Sequence, residues 1–223
     1  MLPSQTVENY LKSIYLAETT LPRDRDLVPM GQLASALGVT PGTATTMVKT
    51  LSESGLAHYE PYSGVKLTPA GHKLASMVLR RHRLIELFLV KVLGMSWAEV
   101  HDEAEHLEHA VSDRLIDRID EMLGRPTADP HGDPIPTAEG HVAPSEASDL
   151  LSCEIGIPVR VARVMDQDAQ FLHFVEASGL KPGEEFIVES RDEAADRVGL
   201  RHTDGRITTI GTRAAAKILV NTR

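Results

Sequence analysis

Four residues in one stretch of the chain are of the types that ligate divalent cations: His101, Glu105, Glu108 and His109. At about 100° per residue of helix, all four fall on one face, within an arc of about 100°. Carboxylate oxygens and imidazole nitrogens are the donors such ions take, so three or more on one face suit a divalent-metal site. A second pair, His82 and Glu86, stands i and i+4 in the preceding segment. If the two segments form antiparallel helices, the six residues can converge. The same residues on an amphipathic helix equally make a solvated face. Neither zinc-protease pattern, H-E-x-x-H or H-x-x-E-H, is present. His106, Asp102 and Glu103 project off the shared face and read as solvated or structural.

Two weaker groups accompany this cluster. "DPHGDPIP" places Asp129 and His131 in what reads as an exposed turn. Asp166, Asp168 and Gln170 crowd the end of a strand and the start of a helix, where an aspartate is commonly a cap. The lone Cys153 excludes an internal disulfide framework and a cysteine-cage zinc site, and reads as a small core residue. No Ser/His/Asp arrangement, P-loop or glycine-rich dinucleotide fingerprint occurs, so the chain does not read as an enzyme.

The elements that must position these residues follow from periodicity and punctuation. Val7, Tyr10, Leu11, Ile14 and Glu18 keep three–four spacing, a helix that Pro22 and the charged run at 23–26 end. A short helix over 30–39 buries Leu33, Ala34 and Leu37. Thr40 then serves as N-cap, with Pro41 at the first helical position, for a helix that ends at Gly55. Its inward face is Ala44, Met47/Val48 and Leu51; its outward face carries Thr43, Thr46, Lys49 and Thr50. "LAHYEPYSGVKLT" reads as two short strands joined at Tyr62–Ser63–Gly64. Helix, helix–turn–helix and hairpin together make a winged helix–turn–helix. Its small hydroxylic face suits base edges and phosphates, which assigns DNA contacts to Thr40, Gly42, Thr43, Thr45, Thr46 and Lys49, with Lys66 on the wing.

A long helix is expected from Thr68 to about Leu93. Ser96–Glu99 reads as a capping box opening the acidic, His-rich helix, and Ser112 caps a further segment. Residues 124–149, rich in Pro, Gly, Asp and His, read as linker or irregular connection. From about Leu150 the pattern turns to period two, with one helix at "AQFLHFVEAS", which suggests a small β-barrel. The fold class is therefore α+β. It comprises a winged helix–turn–helix over 1–73, a helical domain carrying the candidate metal ligands and dimer stripes over 74–143 and a small β-barrel over 144–223. The apolar stripes of the long helices (Leu74, Val78, Leu84/Ile85, Phe88, Leu89, Val92; then Val111, Leu115, Ile119, Leu123) exceed what one thin layer buries. A homodimer would cover them, and so would core packing within the monomer; spacing alone does not separate the two.

The chain has 223 residues and a formal charge of −9, which looks wrong for a nucleic-acid binder. The distribution is uneven. Residues 1–83 hold nine Lys/Arg against six Asp/Glu, +3; the remainder holds 14 against 26, −12. An acidic body on a mildly basic head repels DNA until it is neutralised, which bound divalent cations would do. No apolar run approaches a membrane span and no signal-like segment opens the chain, so a cytoplasmic protein without membrane contact is expected.

The segments "ENYLKSIY", "GVTPGTATTMVKTLSESGL", "LTPAGHKLA", "RRHRLIELFL", "VHDEAEHLEHAVSD" and "DPHGDPIP" resemble the diphtheria-toxin-repressor/manganese-transport-regulator family of metal-activated transcriptional repressors. The resemblance covers nearly the whole chain, including a C-terminal part similar to the ferrous-transport SH3-like module. It implies a first metal site at Asn9, Glu105, Glu108 and His109, with His82's position contributing in two-domain manganese members. It implies a second site at His82, Glu86 and His101. Asp129 and His131 match second-site ligands of the manganese branch, and a third-domain contribution would lie among Asp166, Asp168 and Gln170. The iron branch has Cys at Glu105's position and Met at Asn9's. Oxygen donors in their place favour a harder ion, Mn²⁺, with Fe²⁺ as the alternative. The manganese branch has Asp at Asn9's position; Asn brings a carbonyl oxygen without charge. Lys12 stands where two-domain manganese members carry a second Glu, which argues against their paired-metal arrangement.

The resemblance thus implies a Mn²⁺-activated repressor with two ions per subunit. It would bind double-stranded operator DNA as a homodimer and control metal-homeostasis genes. The alternatives are a metal-independent winged-helix DNA-binding protein and a metalloenzyme built on the His/Glu cluster.

Overall fold

The computed structural model describes residues 4–22, 24–143 and 146–222. Arg23 of the charged run and the boundary expected at 143/144, which abuts residues 144 and 145, touch positions outside the described residues. The chain forms two compact units, one of residues 1–82 with 136–142 and one of 83–135 with 143–223.

The first unit opens with α1 (Gln5–Thr19), whose N-cap Ser4 accepts the Val7 N–H. Helices α2 (Met30–Ala36) and α3 (Pro41–Glu53) follow, and Thr40 caps α3 by accepting the Thr43 N–H at 3.2 Å. Strands β1 (Ala57–Glu60) and β2 (Gly64–Leu67) pair antiparallel as the wing. Leu11, Ile14, Leu33, Ala44, Val48, Leu51 and Val65 close the core, as their spacing predicts. The wing turn is displaced from expectation. Gly64 already pairs with Glu60, so the turn is Pro61–Ser63. The reason lies in Val28, which bridges to Val65 beside it; a Cβ on Gly64 would stand 2.4 Å from the Val28 carbonyl oxygen. Helix α4 (Pro69–Lys91) starts in this unit and runs on into the other.

In the second unit α4 is followed by α5 (Val100–Leu107) and α6 (Asp113–Met122), the latter capped by Ser112 as expected. Leu84, Ile85, Val100, Ala104, Ile116 and Ile119 pack together. Strands β3 (Ser148–Asp149), β4 (Pro158–Val164), β5 (Glu185–Asp192), β6 (Arg197–His202), β7 (Ile207–Ile210) and β8 (Ile218–Thr222) form one antiparallel sheet, order β3-β8-β4-β5-β6-β7. Helices α7 (Ala169–Ala177) and α8 (Thr212–Ala215) complete it. Alternation along β4 to β8 buries Val159, Val161, Phe186, Val188, Val198, Leu200 and Val220 in a core shared with Trp97.

Two expectations are corrected. Ser96–Glu99 is a turn before α5, closed by the Glu99 N–H to Ser96 C=O bond at 3.0 Å. Glu99, at the N-cap position, makes no side-chain cap bond. Residues 124–135 are irregular but are not a solvated linker, because Asp129, His131, Asp133 and Ile135 are all buried. Asp129 Oδ1 accepts the N–H groups of His131 at 2.8 Å and Asp133 at 2.9 Å, so the loop satisfies its own backbone away from water.

Candidate metal centre

Helix α5 positions the densest of the predicted ligands. His101 and Glu105 lie on it one turn apart, with His101 Nε2 3.7 Å from Glu105 Oε1. The helix ends at Leu107, so Glu108 and His109 lie just past it. Glu108 keeps φ −57°, ψ −26°, which carries the helical face one residue further. Glu105 and Glu108 therefore still offer oxygens within 4.8 Å of each other. His109 Nε2 lies 3.3 Å from Glu108 Oε1, and both side chains are buried.

Helix α4 brings up Glu86, fully buried, whose Oε1 is 3.4 Å from His101 Nδ1. The two ring nitrogens of His101 thus face carboxylates on two helices. His82 is buried on α4 one turn before Glu86 and belongs to the first unit, as does Asn9, half-buried on α1.

The loop at 129–133 adds a third set. Glu86, Asp129 and His131 are all buried, with ligand atoms within 4.8 Å of one another. The expected exposed turn is thus a core feature: His131 is 0% exposed. His131 Nε2 stands 2.8 Å from the Trp97 carbonyl oxygen, which can only accept. Nε2 therefore carries a proton, and Nδ1 is the ring atom left to face the carboxylates, 3.8 Å from Glu86 Oε2 and 4.0 Å from Asp129 Oδ1. His131 Nδ1 and Asp129 Oδ2 are buried and make no hydrogen bond with the described residues. Burial pushes the Asp129 carboxyl well above the usual aspartate range; the Asp133 and Glu86 charges add to this, and Arg83 opposes it. A buried imidazole nitrogen without a hydrogen bond and crowded carboxylates are the surroundings a divalent cation would complete, so the donor set fits one.

Asp133 is tied down beside this set. It pairs with Arg163, lies 3.7 Å from an Arg83 nitrogen and accepts from Gln167 Nε2 at 2.8 Å. The expected third-domain ligands take other roles in the structure. Asp166 pairs with Lys217, whose hydrogen bond holds its carboxyl below the usual range. Asp168 caps α7, accepting the Phe171 N–H at 3.1 Å, and Gln170 is exposed. Trp97, Arg83, Asp133, Arg163 and Gln167 are absent from the sequence reading. The D-x-x-x-D spacing of Asp129 and Asp133 was the one local signal for any of them.

On the first unit, Thr40, Gly42, Thr43, Thr46 and Lys49 are exposed around the start and outer face of α3, Thr45 is half-buried, and Lys66 is exposed on β2. Thr45 and Thr46 donate their hydroxyl protons back to the Pro41 and Gly42 carbonyls, at 2.8 and 3.0 Å. Their rotamers are thereby set before any partner arrives. Glu18 anchors the root of the wing. It accepts the Leu67 N–H at 2.7 Å and lies 3.1 Å from His72, an arrangement the sequence did not signal.

Comparison with known proteins agrees with this layout. Residues 3–65 match the family model "Iron dependent repressor, N-terminal DNA binding domain", residues 68–137 its "metal binding and dimerisation domain", and residues 149–222 the FeoA domain. An uncharacterized HTH-type transcriptional regulator of Methanocaldococcus jannaschii is 37% identical over 116 residues, 52% of this chain and 90% of that one. The diphtheria toxin repressor of Corynebacterium efficiens is 36% identical over 132 residues, 59% of this chain and 55% of the relative's length. A solved manganese-dependent transcriptional repressor in complex with manganese superposes with a TM-score of 0.89 at 41% identity, covering 97% of this chain and all of that one. The chain, with its N-terminal DNA-binding fold and its paired His/Glu clusters, thus belongs to the iron-dependent (diphtheria toxin) repressor family of metal-dependent transcriptional repressors.

Proposed function

We propose that this chain is a Mn²⁺-activated repressor, with Fe²⁺ as the alternative ion, that takes two ions per subunit and binds operator DNA as a homodimer. The observation that carries the metal reading is the buried set Glu86, Asp129 and His131, whose ligand atoms lie within 4.8 Å of one another, with the Trp97 carbonyl holding Nε2 so that Nδ1 faces the carboxylates. A bound divalent cation would add positive charge opposite these carboxylates, beside the Arg83 guanidinium. Within the second unit, Glu86, His101, Asp129 and His131 hold one ion, and Glu105, Glu108 and His109 hold the other. Their donors are oxygen and nitrogen, without thiolate, which supports Mn²⁺.

For the ion to activate, Glu105, Glu108 and His109 must bind it more tightly in the DNA-competent state than in the inactive one. Two divalent ions also take the charge from −9 to −5. Thr40, Gly42, Thr43, Thr45, Thr46 and Lys49 contact the major groove and Lys66 the backbone. A two-fold dimer places two such helices about one turn of DNA apart. Exposed Val92, Leu93, Leu115 and Met122 on the helical part support the homodimer. The chain acts by binding and catalyses no reaction, and it controls metal-homeostasis genes.

The test is a DNA-binding titration at fixed salt on the promoter of this protein's own gene or of a neighbouring metal transporter. It is run with chelator, with Mn²⁺ and with anaerobic Fe²⁺. Binding is expected only with metal, and best with Mn²⁺. Equal activation by Fe²⁺ removes the manganese preference, and binding in chelator overturns the metal dependence.

A further inference from the structure

The loop carrying Asp129 and His131 does not hold itself in place. Strand β4 shifts register against β8 between Val161 and Arg163, a bulge centred on Ala162. That bulge is where the loop docks. The Val164 N–H donates to the His131 carbonyl at 2.8 Å. Gly132, at φ +85°, lies so close that a Cβ would stand 2.0 Å from the Ala162 carbonyl oxygen. Arg163 pairs with Asp133, and Gln167, just past β4, donates to Asp133 Oδ2 at 2.8 Å. Asp133 in turn holds Asp129, since its carbonyl accepts the Asp129 N–H at 3.0 Å and its N–H donates to Asp129 Oδ1 at 2.9 Å.

We infer that the bulge of β4, together with Arg163 and Gln167, is the positioning device of the second metal site. The C-terminal sheet sets Asp129 and His131 through Gly132 and Asp133. A regular strand would turn Ala162 and Arg163 to the opposite faces and take Arg163 away from Asp133, leaving it Arg83 at 3.7 Å. Partners one step removed from ligands typically govern metal affinity by about 10–100-fold. This inference rests on the reading of Glu86, Asp129 and His131 as a metal site.

The experiment is a Mn²⁺ titration of the full chain followed by electron paramagnetic resonance, which separates free from bound ion and counts classes of bound ion. The wild type is expected to show two classes, and Glu86→Gln to lose one. Arg163→Met, Gln167→Leu and Gly132→Ala are expected to weaken that same class by about tenfold or more, with the other class unchanged. Arg163→Lys, which keeps the charge opposite Asp133, is expected to restore much of it. If Glu86→Gln loses a class while Arg163→Met and Gln167→Leu both keep wild-type affinity, the inference is overturned. Equal weakening of both classes overturns it too. If the wild type shows one class, or Glu86→Gln leaves two, the metal-site reading itself falls. Gln167→Leu removes a single side-chain bond, so the test stands even if Gly132→Ala does not fold.

Discussion

On α5 the side chains of His101 and Glu105 are 44% and 33% exposed, so water screens their charges whether or not an ion is present. In the loop at 129–133, Asp129 and His131 are out of contact with water, and fixed partners replace hydration: the Trp97 carbonyl, Asp133 and Arg83. The open face tolerates a missing cation at little cost. The buried loop pays through its carboxyl, which is pushed towards the protonated form. The difference teaches that ligand types alone do not rank two clusters; burial decides how strongly each one calls for an ion. Glu86 faces both histidines, with one oxygen towards His101 and the other towards His131.

That contrast can be broken in several ways. The largest effect is expected at Glu86. Glu86→Gln should lower Mn²⁺ affinity by well over tenfold, and Glu105→Gln on the open face by less, as measured by calorimetric titration. Equal losses would erase the distinction between the two sets. Next, Leu84→Ala in the core shared by α4, α5 and α6 should cost about 2–5 kcal/mol in denaturant unfolding. Leu115→Ala, on the exposed side of α6, should leave chain stability within about 0.5 kcal/mol and instead weaken the dimer in sedimentation.

A pH series addresses burial directly. The Asp129 carboxyl is raised in the folded chain, so between the unfolded and folded values the native state holds the extra proton. Metal-free stability should therefore fall as pH rises above the unfolded value of about 4 and level off beyond the folded value. Asp129→Asn should flatten that fall; matching pH profiles for the two chains would count against the burial argument. The smallest expected effect is at Thr40, where Thr40→Ala removes the α3 cap and should cost about 1 kcal/mol by thermal unfolding.

Much of this organisation is legible in the sequence because it is local. Thr40–Pro41 and the Ala44, Val48, Leu51 spacing define α3, and alternation defines β4 to β8. The ligand face of α5 follows from helical spacing, and persists past Leu107 because Glu108 stays near-helical. The loop was not legible. Pro, Gly, Asp and His in "DPHGDPIP" have the composition of a solvated turn. What buries them is Trp97, 34 positions away from His131, together with Arg83 on α4 and the β4 bulge. Gln167 rather than Gln170 reaches Asp133, because α7 begins only at Ala169, after an Asp168 cap. Such choices are made by tertiary contact and leave no trace in spacing.

Trp97 has a consequence of a different kind. It is the chain's one tryptophan, and its indole ring stacks on His131 with centroids 5.5 Å apart. Any event at that imidazole is therefore written into the ultraviolet emission of a single fluorophore, with no second indole to dilute it. The molecule carries an indole gauge at the buried loop of His131, while its four tyrosines, Tyr10, Tyr15, Tyr59 and Tyr62, lie on the DNA-binding head. Emission against added metal would read occupancy at that loop alone, in real time and without a label.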